Sequence, residues 1–336
     1  MDIGRVLVTG SSGFIGGRLM EALRRDGLRV VGMRRSAPAR PGHEFVVADL
    51  RERAGLEQAC AGVEAIVHCA GHAHAFGVEA EAAARAHDEI NHVGTCNLVD
   101  AAGRAGVRRF VFLSSVKAMG APGARCVDES WPAPPDTAYG RAKRAAEEAV
   151  LDGGRRYGMN VTNLRLAMVY GRGSRGNLER MARAIRAGWF PPLPETGARR
   201  SLVHVADVVD AIRCVLAHER AGGRTWIVAD AATYSGAQLY DALRALLGHG
   251  PARWRVPATL LRAAAAGGEL LSHLVGRPLP LGRDAVERLL GPECYRPDAI
   301  RRALGWQARV TLDAGLREML GLDTSAAYAP VIGGSS

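Results

Sequence analysis

The stretch Val6-Leu-Val-Thr-Gly-Ser-Ser-Gly-Phe-Ile-Gly16 constrains this chain more than any other. Val6 to Val8 read as a buried strand. Gly10, Gly13 and Gly16 follow at GxxGxxG spacing, before an apolar-periodic run through Leu19, Met20 and Leu23. A strand, a glycine turn and a helix in that order make a phosphate cradle. One glycine permits the sharp turn, one lets backbone N–H groups approach a pyrophosphate, and one lets the helix pack closely on the strand. The helix N-terminus, with unpaired N–H groups and a partial positive charge, then attracts the anion. Gly10, Gly13, Phe14, Ile15 and Gly16 are therefore expected to hold a dinucleotide.

The following residues extend this unit. Arg29 to Met33 reads as a second strand. An acid at its end would accept hydrogen bonds from the adenosine ribose hydroxyls of NAD, whereas Arg accommodates a 2′-phosphate. Arg34 and Arg35 stand there, so NADP(H) is expected, with NAD(H) the alternative and a solvated pair the bland reading. Phe45 to Asp49-Leu50 is a third strand ending in an acid placed to meet the adenine edge. Ala65 to Ala70-Gly71 is a fourth, with small residues where backbone passes close to a cofactor. Asn91 to Thr95 opens a helical stretch, and Arg109 to Ser114-Ser115 is a fifth strand. Strands separated by helical segments imply right-handed βαβ units and a doubly wound parallel sheet, an α/β fold of the Rossmann kind.

Composition narrows the function classes. With 336 residues, 48% of them hydrophobic, the chain can bury one large core or two coupled ones. The net charge of +10 raises the question of nucleic acid, yet the arginines are dispersed, which fits solvated surface and anionic small-molecule sites better. Cys60, Cys69, Cys96, Cys126, Cys214 and Cys294 show neither CxxC pairs nor metal-ligand spacing and read as reduced and non-catalytic. His72 and His74 lack a third ligand, so no metal is expected. No apolar run reaches the ~18 to 20 residues needed to span a bilayer, and no signal h-region precedes the first strand. A soluble cytoplasmic protein is expected.

Tyr139-Gly-Arg-Ala-Lys143 supplies the chemistry. Positions i and i+4 share a helix face. A phenol is a poor acid–base group at neutral pH, but a nearby ammonium and a cationic nicotinamide favour its phenolate. A serine hydroxyl from the fifth strand's end can hydrogen-bond the substrate oxygen whose proton Tyr139 exchanges while a hydride crosses.

Taken together, Thr9 to Gly16, Asp49-Leu50, Ala70-Gly71, Asn91 to Thr95, Leu113-Ser-Ser115 and Tyr139 to Lys143 resemble the short-chain dehydrogenase/reductase superfamily, in its extended branch of nucleotide-sugar epimerases, dehydratases and ketoreductases. The resemblance implies Ser115, Tyr139 and Lys143 as the catalytic set, with Ser114 the runner-up, and Asn91 beside the cofactor. It covers nearly the whole chain. Asn163 to Gly171 resembles the family's late strand, with Met168 where proline is common. Asn177-Leu178 and Arg200 match positions that hold the nucleotide diphosphate, and Asp298 to Trp306 resembles a late family helix. A homodimer paired through helices flanking the sheet is also implied.

The expected organisation is a dinucleotide-binding domain over 1–165, to which strands near 161–170 and 201–206 return, a substrate lobe over 171–322 and a frayed tail over 323–336. Trp226 to Ala229 reads as a strand of the lobe, Ser235 as a helix cap, Pro257 to Val275 as a packed helix, Pro278 to Pro280 as a loop, and Asp284 to Leu290 as a short helix. Val116 and Lys117 follow Ser115 where sugar 4,6-dehydratases carry an Asp-Glu pair, which argues against dehydration. Ser115 to Gly120 resembles a subgroup of UDP-glucose 4-epimerases and UDP-4-keto-sugar reductases. C4 ketoreduction of a UDP-6-deoxy-4-ketohexosamine or similar sugar is the favoured expectation, with UDP-hexose 4-epimerisation beside it. Lys117 either contacts the sugar or is solvated. A non-enzymatic NADP(H)-sensing regulator is the alternative of another class, and it would not need the Ser-Tyr-Lys set.

Overall fold

The computed structural model describes residues 3–37, 44–72, 80–250, 252–275, 286–287 and 290–322. His74, Pro278 to Pro280, Asp284 and the tail from Asp323 lie outside the described residues.

Seven parallel strands form the central sheet. In chain order they are β1 (Arg5–Thr9), β2 (Arg29–Arg34), β3 (Phe45–Val47), β4 (Ala65–His68), β5 (Arg109–Ser115), β7 (Asn160–Leu166) and β10 (Arg224–Val228); β6 is a short strand elsewhere, Cys126–Val127. Their spatial order is β10-β7-β5-β4-β1-β2-β3. Side chains alternate across a strand, so each run feeds two cores. Val6, Val8, Val67, Val111 and Leu113 face Leu19 and Leu23 of α1 (Phe14–Arg25) and Val208 and Ile212 of the helix over Val205–Ala217. Leu7, Ile66, Phe110 and Phe112 face Leu56 of α2 (Arg53–Cys60), Leu98 of the helix over Gly94–Arg104, and Ala146 and Val150 of the helix over Ala138–Tyr157. Each fully buried Leu, Val, Ile or Phe contributes roughly 1.5–3 kcal/mol, which is why continuous apolar runs sit in the sheet's centre.

The chain runs outward through β1, β2 and β3, then returns to place β4 on the other side of β1. That reversal opens a crevice at the carboxyl ends of β1 and β4, where ligands of such sheets bind. Around it stand α3 (Ala80–His87), a π-helical turn over Asp88–Val93, α4 (Gly94–Arg104) and α5 (Ala138–Tyr157). Thr137 caps α5, its hydroxyl accepting the Gly140 N–H at 3.0 Å.

Three expectations change in the second half. The stretch 161–170 is broken at Ala167: β7 stays in the central sheet, while β8 (Met168–Tyr170) joins β9 (Arg200–His204) and β11 (Thr233–Tyr234) in a separate sheet ordered β11-β9-β8. The strand expected over 201–206 therefore belongs to the lobe, because its polar groups bond there: Ser201 exchanges hydrogen bonds with the Tyr295 backbone, and His204 pairs with Glu318. Its place in the central sheet is taken by β10, whose Trp226, Ile227 and Val228 are buried beside β7. The lobe has its own core of Tyr170, Met181, Leu202, Leu239, Tyr240 and Leu316, formed around α6 (Asn177–Arg186) and α8 (Gly236–Leu246), while α7 (Val205–Ala217) packs on the central sheet. Ser235 caps α8 in a reciprocal box with Gln238. The helix over Ala258–Val275, α9, packs through Leu261 and Ala265.

The cysteine expectation is corrected as well. Cys126 on β6 and Cys294 on β12 (Cys294–Tyr295) form a disulfide, because parallel pairing of the two strands brings their Cα atoms to 4.4 Å. Cys60, Cys69, Cys96 and Cys214 are free thiols.

Candidate active site

The glycine turn is built for a close ligand. Gly10 has φ +65°, and a Cβ there would come within 2.8 Å of the Ala70 backbone. A Cβ on Gly16 would lie 2.3 Å from the Gly10 carbonyl oxygen. Gly13 is the N-cap of α1 with no side-chain cap and no acid in the first turn, so the helix's first N–H groups remain available to an anion. Phe14 and Ile15 contribute backbone there. The Phe14 ring lies beneath the Arg18 guanidinium at 5.0 Å, and Ile15 packs on the core.

A cavity of about 580 Å³ opens over this turn, lined by Gly10, Gly13, Arg34, Arg35, Asp49, Leu50, Ala70 and Gly71. The observed geometry fits a dinucleotide: a Cβ-free cradle at one end and two guanidiniums at the end of β2. Three further lining residues, Ser12, Arg51 and Arg175, were not singled out from the sequence. Arg51 donates through Nε and Nη2 to both Asp49 oxygens at 3.0 and 2.7 Å and through its backbone N–H at 3.0 Å, holding that carboxyl down at about 2. The Asp-x-Arg spacing was the available signal. Asn97 donates to the Leu50 carbonyl, fixing that residue at the rim.

The floor of the cavity is set by a chain of buried hydrogen bonds whose directions can be worked out. Thr95 gives its hydroxyl proton to the Asn91 carbonyl at 2.7 Å, so it must accept from His68 Nε2 at 3.1 Å. His68 Nδ1 then accepts from the Thr9 hydroxyl at 2.7 Å, which itself accepts the Ala70 N–H at 3.1 Å. Burial pushes His68 down to about 3, with Lys143 adding to the effect, which keeps this neutral arrangement. Asn91 reaches the expected neighbourhood by gripping the loop after β4: its side chain accepts the His72 N–H at 2.7 Å and donates to the His72 carbonyl at 2.9 Å.

Ser115, Tyr139 and Lys143 come together at the end of β5 and the start of α5. The Ser115 and Tyr139 side chains are hydrogen-bonded, and Ser115 Oγ also accepts the Lys117 N–H at 3.2 Å. Burial pushes Tyr139 up, with the Ser115 bond opposing. Lys143 is buried, donates to the Leu113 carbonyl at 2.9 Å, lies 4.6 Å over the Phe112 ring, and is pushed down to about 8 by burial against the opposing pull of Glu147 and Cys69. A Cβ on Gly71 would sit 3.5 Å from its ammonium, so Lys143 reaches the cavity floor. The His87 ring meets Tyr139 edge-on at 5.4 Å. Strand alternation turns Ser114 the other way, where its hydroxyl donates to buried Glu147 at 2.6 Å.

On the lobe side, Lys117 forms an ion pair with Glu293. Glu293 also bridges through its backbone to β9, accepting the Ser201 N–H at 2.8 Å. Arg200 is buried next to it, donating to the Gly291 carbonyl at 3.1 Å. Lys117 and Arg200 are thereby brought to one carboxylate, which the sequence did not reveal. Asn177 and Leu178 open α6, whose N-cap, Gly176, carries no side-chain cap; Leu178 turns into the lobe core, leaving Asn177 exposed.

Residues 6–229 match the family described as NAD dependent epimerase/dehydratase. A UDP-glucose 4-epimerase of Vibrio cholerae is 29% identical, covering 93% of this chain and 93% of that protein. A 4-hydroxy-2-methyl-3-oxo-4-farnesyl-3,4-dihydroquinoline-1-oxide ketoreductase of Stigmatella aurantiaca is 31% identical, covering 93% of this chain and 94% of that protein. The structure of MoeE5 in complex with UDP-glucuronic acid and NAD superposes with a TM-score of 0.74 at 25% identity, covering 95% of this chain and 98% of that one. Among the described residues, no helix is long and apolar enough to cross a membrane.

Proposed function

The chain belongs to the NAD dependent epimerase/dehydratase family, and from that premise we propose that it is an NADPH-dependent C4 ketoreductase of a UDP-linked 4-keto sugar. The observation that carries this reading is the convergence of Ser115, half-buried Tyr139 and Lys143 at the end of β5 and the start of α5, with Lys143 at the floor of the cavity that the glycine turn, Arg34 and Arg35 line. A protonated phenol gives a proton to a nascent alkoxide, the direction of reduction. A nicotinamide cofactor held by the glycine turn, Arg34 and Arg35 would supply the hydride for the carbonyl carbon. Ser115 orients the carbonyl oxygen, Tyr139 donates its proton to that oxygen, and the Lys143 ammonium stabilises the phenolate that remains. Arg34 and Arg35 at the cavity rim support NADP(H), and Asn177, Arg200 and Lys117 are assigned to the sugar nucleotide.

The likeness to a UDP-glucose 4-epimerase over 93% of both chains favours a second reading, UDP-hexose 4-epimerisation. Incubating purified enzyme with UDP-hexoses without added cofactor, and separately with a UDP-4-keto sugar plus NADPH or NADH, separates the two. The reductase reading expects NADPH consumption in the second tube, with the preference over NADH lost in Arg34→Ala/Arg35→Ala. C4-inverted product in the first tube and no NADPH consumption in the second would overturn it.

A further inference from the structure

Both lysines of this chain, Lys117 and Lys143, flank the Ser115–Tyr139 pair, while its other basic residues are all arginines. Lys143 stands at the cofactor cavity. Lys117 does not: neither it nor its partner Glu293 is among the described residues that line that cavity. The Lys117 backbone is locked into the site. Its N–H donates to Ser115 Oγ at 3.2 Å, and its carbonyl packs so closely on α5 that a Cβ on Gly140, next to Tyr139, would lie 2.2 Å from it. From there the ammonium reaches the lobe and pairs with Glu293. The Lys117 side chain is 40% exposed and that of Glu293 24%, so the pair borders open space rather than a core. Glu293 is fixed in turn. Its N–H donates to the Arg199 carbonyl and its carbonyl accepts the Ser201 N–H, each at 2.8 Å, and Cys294 beside it is bound to Cys126. Arg200, the second cation beside Glu293, is buried, which leaves Lys117 as the exposed cation of the trio.

On the proposed reading the C4 oxygen of the sugar sits at Ser115 and Tyr139, and a side chain two residues along the same turn reaches the substituents on the flanking ring carbons, C3 and C5. A lone lysine there would attract an anion, such as a carboxylate carried on C5. The ion pair behaves differently. It has no net charge, yet it keeps ammonium protons to donate and a carboxylate oxygen to accept, which suits hydroxyl, hydroxymethyl and acetamido groups. A sugar carboxylate would instead meet Glu293 as a like charge, and such repulsion discriminates against a wrong ligand. We propose that Glu293 is a specificity-determining residue, which cancels the charge of Lys117 and restricts the site to nucleotide sugars uncharged around the reacting carbon, excluding uronic acids. The inference rests on the proposed function placing the sugar at Ser115, but its test reads binding rather than turnover.

UDP-glucose and UDP-glucuronic acid differ only in the group on C5, so the ratio of their Kd values cancels the shared diphosphate and base. Calorimetry on the full-length protein, with excess NADPH to prevent oxidation of either ligand, should show the wild type binding UDP-glucose about tenfold more tightly or better. Glu293→Gln keeps the size of the side chain but frees the ammonium, and should move the ratio toward UDP-glucuronic acid by about tenfold, through tighter binding of that ligand. Lys117→Met leaves the carboxylate unpaired and should move the ratio the other way. Opposite shifts separate charge selection from a disturbed fold, which weakens both ligands together. An unchanged ratio in folded Glu293→Gln overturns the inference, as does a wild type that prefers UDP-glucuronic acid. The expected shifts in protein that turns over neither a UDP-4-keto sugar nor a UDP-hexose uphold the inference and sink the proposed function instead. A wild type that binds neither ligand sinks both.

Discussion

Reducing the Cys126–Cys294 bond tests both the fold and the substrate side of the cleft. The bond spans a sequence separation of 168. In the chain-entropy account, closing a loop of that size restricts the unfolded ensemble by about 5 kcal/mol at 25 °C. For a chain of 336 residues, an unfolding entropy of about 2.1 cal/mol/K per residue converts this into a fall of roughly 7 °C in Tm. Scanning calorimetry with and without a thiol reductant measures it, and Cys126→Ser should show the lower Tm in both conditions. Thiol counting in denaturant provides the parallel check: four before reduction, for Cys60, Cys69, Cys96 and Cys214, and six after. Function should follow, because Glu293 adjoins Cys294, bridges to β9 and pairs with Lys117. Loosening β12 should raise KM for the sugar nucleotide more than it lowers kcat. Six thiols in untreated protein would refute the pairing. A Tm indifferent to reductant despite four thiols would refute the entropic reasoning.

Tyr139→Phe should retain cofactor binding and lose roughly 10² to 10⁴ in turnover, the range for one general acid, measured by single-turnover NADPH oxidation; near-normal turnover would reassign the proton donor. Gly16→Ala places a methyl against the Gly10 carbonyl and should weaken NADPH binding, by fluorescence titration, through about 1–3 kcal/mol of strain, roughly 5- to 150-fold in Kd. Unchanged affinity would mean that the cradle relaxes freely.

The sheet was legible because its strands are short apolar runs separated by helical periods, a pattern with few topological solutions. The site's skeleton was legible for a similar reason: glycines needed for close approach and a Tyr-x-x-x-Lys pair on one helix face are local signals. What escaped was non-local. Cys126 and Cys294 look unpaired until β6 and β12 meet. The strand at Arg200–His204 has ordinary β composition, and only its bonds to Tyr295 and Glu318 assign it to the lobe. Glu147 and Arg165, an ion pair buried beneath Ser114, carried weak signals. One lies on the same face as Tyr139 and Lys143; the other is a charge set between buried leucines in a central strand.

Composition left a net charge of +10 to be explained, and the cavity accounts for part of it. Among the described residues, Arg34, Arg35, Arg51 and Arg175 line its walls against one carboxylate, that of Asp49, which Arg51 already neutralises. Since that carboxyl is held at about 2, it stays ionised at neutral pH, and the surplus of guanidinium charge there is fixed. Arginine stays protonated to pH values above 12, so it cannot shed that charge as lysine can. On the proposed reading the two cation types divide the work. Arginines provide a constant field for the cofactor's phosphates, and the buried Lys143 provides a charge that responds to its surroundings where the proton moves.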